Sequence, residues 1–388
     1  MRHNFKSYFI CMAASIILMP LMVETACGQE LNCKEYTLEQ LRTSLPLLFQ
    51  PDTSTIIIGG DFMMHRAQIE NAELEDGTYS FDGSLTHITR ILQKADIAIG
   101  NMEFTLGGKP YSGYPAFSAP ETYPEYIAKC GIDIFLLANN HILDKGLKGA
   151  EKTLGQYRKM EDIRFTGCAG NENEYNQTNP LYLRLSGIKT AFINFTYGTN
   201  AGKTEGYPKV SLMQKSNVEQ LMKQAQRDGA ELIIVLPHWG NEYELNASEQ
   251  QKQFAQWLAD NGADIIIGSH PHVIQEMQII KTKSNGKHKE VPVYYSTGNV
   301  ISNMSAKNTR LGLLVELKVT RNNEGKAIIL TPKCTYTWCT LPNRLTAVHS
   351  TIPVKSFLGK RDLWINPADY DIMKNTYNSV KKIVRITD

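Results

Sequence analysis

Six short segments of this chain each place metal-ligating or hydrogen-bonding side chains directly after an apolar, strand-like run. They are IIIGGDFMMH with Asp61 and His65, DIAIGNME with Asn101 and Glu103, IFLLANNH with Asn139, Asn140 and His141, LIIVLPHWGNE with His238 and Glu242, DIIIGSHPH with His270 and His272, and VYYSTGN with Asn299. Side chains at the carboxyl ends of successive strands converge when those strands are neighbours in a sheet. The set holds Asp, Glu, Asn and His but no Cys. Oxygen and imidazole donors without thiolate suit a catalytic divalent centre of Mn, Fe, Zn or Mg better than a structural zinc.

Taken singly, several of these residues have ordinary readings. Asp61 after Gly59-Gly60 is either a ligand or the N-cap of a helix beginning at Phe62. A helical turn there would bring His65 to the same face. Glu103 alone reads as a solvated carboxylate, although a carboxylate spanning two cations is what a dinuclear centre needs. Asn139-Asn140 can be a turn pair; with His141 attached, an amide ligand beside an acid–base imidazole becomes the stronger reading. His238 beside Trp239 reads alone as a satisfied core histidine. Gly268-Ser269-His270-Pro271-His272 is the most specific segment. Two imidazoles one residue apart have no plain structural purpose outside a metal site, and Pro271 stiffens the turn.

The elements that must position these residues alternate along the chain. Thr55–Gly59 is a β-branched run, and Leu85, Ile88 and Leu92 mark a helix before a strand over Asp96–Gly100. A helix around Glu121–Cys130 ends at Gly131, a natural stop, and strand Ile132–Ala138 follows. Leu147, Ala150, Leu154 and Tyr157 line one face of the next helix. Ser186-Gly187 reads as a hairpin turn. Ser216-x-x-Glu219 reads as a capping box before a helix that Gly229 closes. Strand Leu232–Leu236, a helix carrying Phe254, Trp257 and Leu258, and strand Asp264–Gly268 complete the alternation. From Val291 strands dominate, over Val291–Thr297, Gly312–Thr320 and Ala327–Thr337, with a final helix near Ala368–Ile383. That order predicts an α/β fold of two packed sheets covered by helices.

At 388 residues the chain can bury a large core, in one big α/β domain or two smaller ones. Its 42% hydrophobic and 21% charged residues argue against disorder and against a multi-span membrane protein. Net charge is +2 with no long basic run, so no nucleic-acid partner is expected. Lys281, Lys283, Lys287 and Lys289 surround Asn285-Gly286, which reads as a solvated hairpin tip in preference to a polyanion contact.

Arg2, His3 and Lys6 precede an apolar stretch from Tyr8 to Val23, and Thr25-Ala26-Cys27-Gly28 follows. This is the layout of a secretory signal over 1–28, cut after Gly28. The alternatives are lipid attachment at Cys27, with Glu24 where such a motif takes an aliphatic residue, and a retained membrane anchor. Export to the periplasm or cell envelope is expected. The organisation then runs as an extension over 29–53 with a short helix at Thr37–Ser44, a main domain over 54–340, and a C-terminal extension over 341–388. Of seven cysteines, Cys11 and Cys27 belong to the signal and Cys33, Cys130, Cys168, Cys334 and Cys339 remain. Cys334 and Cys339, five apart on one strand, point to opposite faces, which argues against their pairing. Cys130 before Gly131 reads as a small buried hydrophobe.

The order of GGDFMMH, ADIAIGNMEF, LANNHILDKG, PHWGNEYE, GADIIIGSHPHVIQ and YYSTGN, over roughly residues 55–305, resembles the bacterial capsule-synthesis CapA family (PGA_cap). The fold of that family belongs with the calcineurin-like metallophosphoesterases. The resemblance implies a four-layer α/β/β/α sandwich of the metallo-dependent phosphatase type, with a divalent, dinuclear metal site at the strand ends. It implies Asp61, Glu103, Asn140, His238, His270 and His272 as metal ligands, Glu103 as the bridge and His141 as the catalytic acid. Arg66 and Asn299 are candidates to steady a developing anion, and Glu242 joins Asn299 as a candidate substrate contact. The pattern departs in three places. An Asp-x-His opening would need histidine at Met63, leaving His65 as the substitute ligand; Glu103 stands for the usual bridging Asp; and Ile142 stands where an acidic residue is common. The implied role is synthesis, anchoring or export of poly-γ-glutamate or another surface polymer, by metal-dependent hydrolase or transferase chemistry. The alternative is a non-catalytic polymer-binding factor with a vestigial site. Expected partners are the acidic polymer or its precursor and membrane-bound synthesis machinery.

Overall fold

The β-branched run beginning at Thr53 forms the strand Thr53–Phe62, and its period-two alternation divides its isoleucines between two cores. Ile57 packs with the helices Thr86–Leu92, Thr122–Lys129 and Gly146–Tyr157, while Ile56 and Ile58 face the other way. Neighbouring strands repeat the pattern: Ala98 and Phe135 join Ile57, and Ile99 and Ile134 join Ile56. A second group of strands sorts likewise. Phe192, Ile234 and Ile265 meet Ile56 and Ile58 in a central core, whereas Ile193, Val235 and Ile266 turn toward the helices Lys215–Arg227 and Glu249–Asp260. Three cores between four layers make the α/β/β/α sandwich that the resemblance implies. Each buried Ile or Val contributes roughly 1.5–3 kcal/mol. A one-residue slip would send every one of them to the wrong core, so register is tightly specified.

The computed structural model describes residues 53–388 apart from 203–204 and 285–286. The signal segment 1–28, the extension up to residue 52 with its Thr37–Ser44 helix, Cys33, and the Asn285-Gly286 turn lie outside the described residues. The described residues, 341–388 included, belong to one compact unit, Gln50–Asp388.

Nine strands form the first sheet, in the order Ser350–Pro353, Lys333–Thr340, Leu311–Arg321, Thr53–Phe62, Ile97–Met102, Ile134–Leu136 and Arg164–Thr166. Asn299–Ile301 and Ala327–Ile329 add to it beside Thr53–Phe62 and Leu311–Arg321. Six form the second: Met277–Ser284, Lys287–Tyr294, Ile265–Ile267, Leu232–His238, Ile188–Thr196 and Leu181–Leu185. The strands that lead into the site run parallel within each sheet. Their carboxyl ends therefore share one end of the sandwich. The Ser186-Gly187 hairpin is present, with φ of 48° and 74° at its two turn residues, the pair of positive values a type I′ turn requires.

Local expectations differ from the structure at two helix starts. No helix begins at Phe62, because the Phe62 carbonyl accepts the Glu103 N–H at 3.0 Å and the Met63 N–H reaches the Ile301 carbonyl at 3.0 Å. Extended backbone is held from both sides, and the next helix, Arg66–Ala72, starts after His65. Ser216 does not cap the Lys215–Arg227 helix: it is the second helical residue, and Gln214 stands at the cap without a side-chain bond. A capping box does open Glu249–Asp260, from Ser248 and Gln251. Cys334 and Cys339 are both free, one in the central core and one in the helix-covered core. No helix among the described residues is long and apolar enough to cross a membrane.

The C-terminal helix Pro367–Val384 is capped by Asn366 and lays Tyr370, Met373, Tyr377, Val380 and Val384 into the central core. Their three- and four-residue spacing is one helix face. One buried ion pair fastens it: Arg310 Nη1 and Nη2 donate to the two Asp369 carboxylate oxygens at 2.7 and 2.6 Å. The same guanidinium lies 4.4 Å from the Trp338 ring centre. Removing one partner of such a pair leaves an uncompensated buried charge. Asp369→Ala should lower the unfolding free energy by about 3–5 kcal/mol, read by urea denaturation. Arg310→Met combined with Asp369→Leu should recover most of that loss. Equal instability of the single and double variants would show that the charge pair is not the cause.

Candidate metal centre

Asp61 is fully buried at the end of its strand, where its N–H donates to the Gly298 carbonyl at 3.1 Å. Its Oδ1 accepts from Asn101 Nδ2 at 2.7 Å, and its Oδ2 accepts from the His270 N–H at 3.3 Å and lies 3.4 Å from His272 Nδ1. Glu103, two residues after Asn101, is also fully buried, and neither of its carboxylate oxygens has a hydrogen-bond partner. Around its Oε1 stand three imidazole nitrogens: His238 Nε2 at 3.7 Å, His272 Nε2 at 3.8 Å and His141 Nε2 at 3.9 Å. These separations exceed hydrogen-bond length. A buried, partnerless carboxylate ringed by imidazoles at that distance is a donor set arranged for a cation. Asp61, Glu103 and His272 form one group whose ligand atoms lie within 4.8 Å of one another; Glu103, His238 and His270 form a second, and Glu242, His270 and His272 a third.

The two loop histidines carry backbone strain. His270 has φ of 100° and His272 of 58°, values that residues with side chains seldom adopt. Such strain persists where surrounding structure fixes it and tends to mark functional positions. His270 Nδ1 is buried without a partner. Asn299, the first residue of its short strand, lies beneath His272: its Oδ1 is 3.0 Å from His272 Nδ1, and its Nδ2 donates to the Thr309 carbonyl at 2.9 Å. That contact orients the ring, leaving Nε2 toward Glu103. His238 Nε2 is 2.8 Å from Asn140 Oδ1, and its Nδ1 is 3.0 Å from the Ser269 hydroxyl. The His238 Nε2–H thus donates to Asn140 Oδ1, and a metal ion bound by both atoms would take the place of that proton.

Electrostatics keep most of these rings neutral, the form that ligates. Burial, reinforced by neighbouring histidines, pulls His238 well below its usual value and His270 down to about 3. Burial is the largest single influence on His272 and pulls it down, but Asp61, Glu242 and Asn299 together outweigh it and the net shift is upward.

His141 is set differently. Its Nδ1 lies 2.7 Å from Asp144 Oδ2, whose oxygen also accepts the Phe117 N–H at 2.7 Å, and Phe117 packs edge-on against the imidazole. A carboxylate on Nδ1 directs Nε2 into the cluster. Asp144 escapes a reading of the segments because it stands three residues past His141 inside a turn; the sequence signal was the acid of Leu-Asp-Lys-Gly. Asn101 and Ser269 are further supports whose roles appear only with their partners in place. Tyr197, 46% exposed, lies 4.6 Å from the His270 ring, and Tyr243, 47% exposed, lies 6.3 Å from His272. With exposed Glu242 they form the mouth.

The remaining expected residues stand apart. His65 caps the Arg66–Ala72 helix; its Nδ1 is 3.2 Å from Gln68 Oε1 and 3.3 Å from the Asn303 N–H, and burial holds it near about 4. No described ligand group includes it. Arg66 is exposed and pairs with Glu70 at 3.8 Å. The Met63 side chain is buried in the helix-covered core.

Residues 55–304 match the family described as bacterial capsule synthesis protein PGA_cap. Capsule biosynthesis protein CapA of Bacillus anthracis is 29% identical over 291 residues, 71% of this chain and 66% of that protein, so the chain spans just under two thirds of it. PGA biosynthesis protein CapA of Bacillus subtilis is 26% identical over 284 residues, 72% of this chain and 71% of that protein. Among solved structures the chain is similar to calcineurin-like phosphoesterase YfkN from Bacillus subtilis, with a TM-score of 0.42 and 12% identity over 86% of this chain and 99% of that one. It is also similar to a 5'-nucleotidase precursor from Thermus thermophilus, with a TM-score of 0.46 and 13% identity over 86% of this chain and 59% of that one.

Burial first, and the Asp61 charge second, hold the Glu103 carboxyl well above its ordinary value of 4.5. A carboxyl whose pKa is raised on folding binds its proton more tightly in the folded state. Stability therefore falls as pH rises from 4.5 toward the folded value. In EDTA, wild type should lose stability relative to Glu103→Gln above pH 4.5, by on the order of 1–3 kcal/mol at neutral pH. Urea unfolding across a pH series reads this difference, and parallel curves for the two proteins would refute it.

Proposed function

The chain belongs to the bacterial capsule synthesis protein PGA_cap family, and on that premise we propose that it is an exported, metal-dependent hydrolase or transferase acting on a surface polymer at the cell envelope. The polymer is of the poly-γ-glutamate type, or its precursor, delivered by membrane-bound synthesis machinery. One observation carries the catalytic part: Glu103 Oε1, partnerless and fully buried, sits between the Asp61–His272 and His238–His270 groups. Those five side chains, with Asn140, would hold a divalent metal drawn from Mn, Fe, Zn or Mg, and the two groups that share Glu103 would suit a pair. Bound there, the metal supplies Lewis-acid polarisation and a water of lowered pKa.

The chain's own residues do the rest. Asp144 accepts the Nδ1–H of His141. In the imidazolium form of the ring the Nε2–H faces the cluster and can pass its proton to a leaving oxygen or nitrogen, Asp144 stabilising the charge until then. Asn299 keeps His272 in the orientation that points Nε2 at Glu103. Glu242 and the two tyrosines at the mouth meet the substrate first. Burial of Asp61, Glu103 and His238 excludes bulk water from the reacting end.

The test is metal analysis together with turnover. Purified wild type should carry stoichiometric Mn, Fe or Zn, and His270→Ala should lose it. Asp61→Ala should lower turnover of a generic aryl phosphate by roughly 10–100-fold or more. A wild type free of such metal after exposure to each ion, with His270→Ala behaving identically, would sink the reading.

A further inference from the structure

At the metal centre, the groups acting electrostatically on Tyr197, His238 and His270 are carboxylates and imidazoles, with no Lys or Arg among them. Unpaired cations lie at the other end of the strands. There Leu232 and Ile233, which begin the strand ending in His238, line a groove of about 1110 Å³. Seven residues of strand, roughly 20 Å, separate it from the metal centre.

The groove's walls come from both sheets. On one side the Met277–Ser284 and Lys287–Tyr294 hairpin presents Met277 and Ile279 opposite Tyr294 and Pro292. Its other face, with Ile280, Val291 and Val293, packs under the helices. Facing it is the segment from Lys326 to Pro332, which includes the strand Ala327–Ile329. Ile279 and Leu330 remain 41% and 40% exposed, an apolar floor open to solvent.

The rim is cationic. Lys283, Lys326 and Arg385 line the groove and, among the described residues, have no carboxylate partner. Three of its four carboxylates are paired with cations. Glu231 is paired with Arg321 at 2.7 Å, Asp264 with Lys289 at 2.8 Å and Glu290 with Lys281 at 3.7 Å. Asp260 accepts from the Thr282 hydroxyl and the Gln256 amide. Against the single unpaired carboxylate of Asp260 the three cations leave the net uncompensated charge positive, beside apolar Met277, Ile279 and Leu330.

We propose that this groove binds a linear polycarboxylate, a chain whose carboxylates are spaced along an apolar backbone. Its methylenes lie on Ile279 and Leu330, and its carboxylates meet Lys283, Lys326 and Arg385. The choice of occupant rests on the polymer-processing reading above. The basic hairpin is then more than a solvated tip: Lys281 is occupied by Glu290, while Lys283 faces the groove.

The test is fluorescence anisotropy of labelled poly-γ-glutamate with the full chain in EDTA. Binding should weaken as salt rises. The triple variant Lys283→Glu, Lys326→Glu, Arg385→Glu, all at exposed positions, should bind roughly tenfold more weakly or worse. It should keep wild-type metal content and aryl-phosphate turnover, so a failed groove and a failed catalytic reading are told apart. His270→Ala should bind the polymer as wild type does. Unchanged affinity in the triple variant overturns the proposal, as does binding that His270→Ala abolishes, which would place the polymer at the metal centre. Equal competition by neutral dextran, or capture only by vesicles containing phosphatidylglycerol, overturns it too.

Discussion

Two carboxylates, Asp61 and Glu103, are removed completely from water at the point where the ends of two sheets meet, and among the described residues no lysine or arginine pairs with them. Burying an isolated carboxylate is among the most unfavourable acts a fold performs. The surrounding structure exists to make it tolerable. Asn101 donates to Asp61, imidazoles face Glu103, and strands of both sheets deliver these groups in fixed register. The large apolar cores on either side supply the stability against which this local cost is set. On the proposed reading a divalent ion would turn the arrangement from a liability into a favourable interaction, and stability and function would meet at the Glu103 carboxylate.

Close approach of backbones is part of the same constraint. A Cβ at Gly60 would lie 1.8 Å from the Gly298 carbonyl oxygen, the atom that accepts the Asp61 N–H. Only glycine there lets the strand come near enough for that bond, which aims the Asp61 carboxylate between His270 and His272. The positive φ values of the two histidines serve the same end from the second sheet. They turn both rings inward from a loop that an unstrained extended backbone would carry past the site.

Much of this was legible in the residues because it depends on local pattern. Alternation in Thr-Ile-Ile-Ile and Leu-Ile-Ile-Val marks strands, and side chains after their ends converge whatever the details of the turns. The two-sheet layering followed from helices alternating early and strands dominating late. What stayed hidden depends on distant partners. Asp144 acquires its role from a turn that Phe117 closes over, and Asn299 from His272 arriving across the sheet gap. His65 lay four residues from Asp61, but extended backbone through Phe62 carried it to a helix start. Ser216 matched a cap by spacing alone, and the helix began one residue ahead of it.

A formal charge of +2 conceals a polar distribution. Asp61, Glu103, Asp144 and Glu242 gather at one end among imidazoles that burial keeps mostly neutral, while Lys283, Lys326 and Arg385 stand unpaired toward the other. Composition averages the two ends to nothing, which is why net charge argues weakly about an acidic ligand in either direction. On the proposed reading the separation has a physical use. Carboxylates at the centre repel an anionic chain until divalent charge offsets them, so approach to the reacting end is conditional on metal. Lysine and arginine beside the centre would remove that condition and would compete with the metal for Asp61 and Glu103. Placing the cations at the far end of the strands keeps attraction for the polymer without giving the buried carboxylates a second partner.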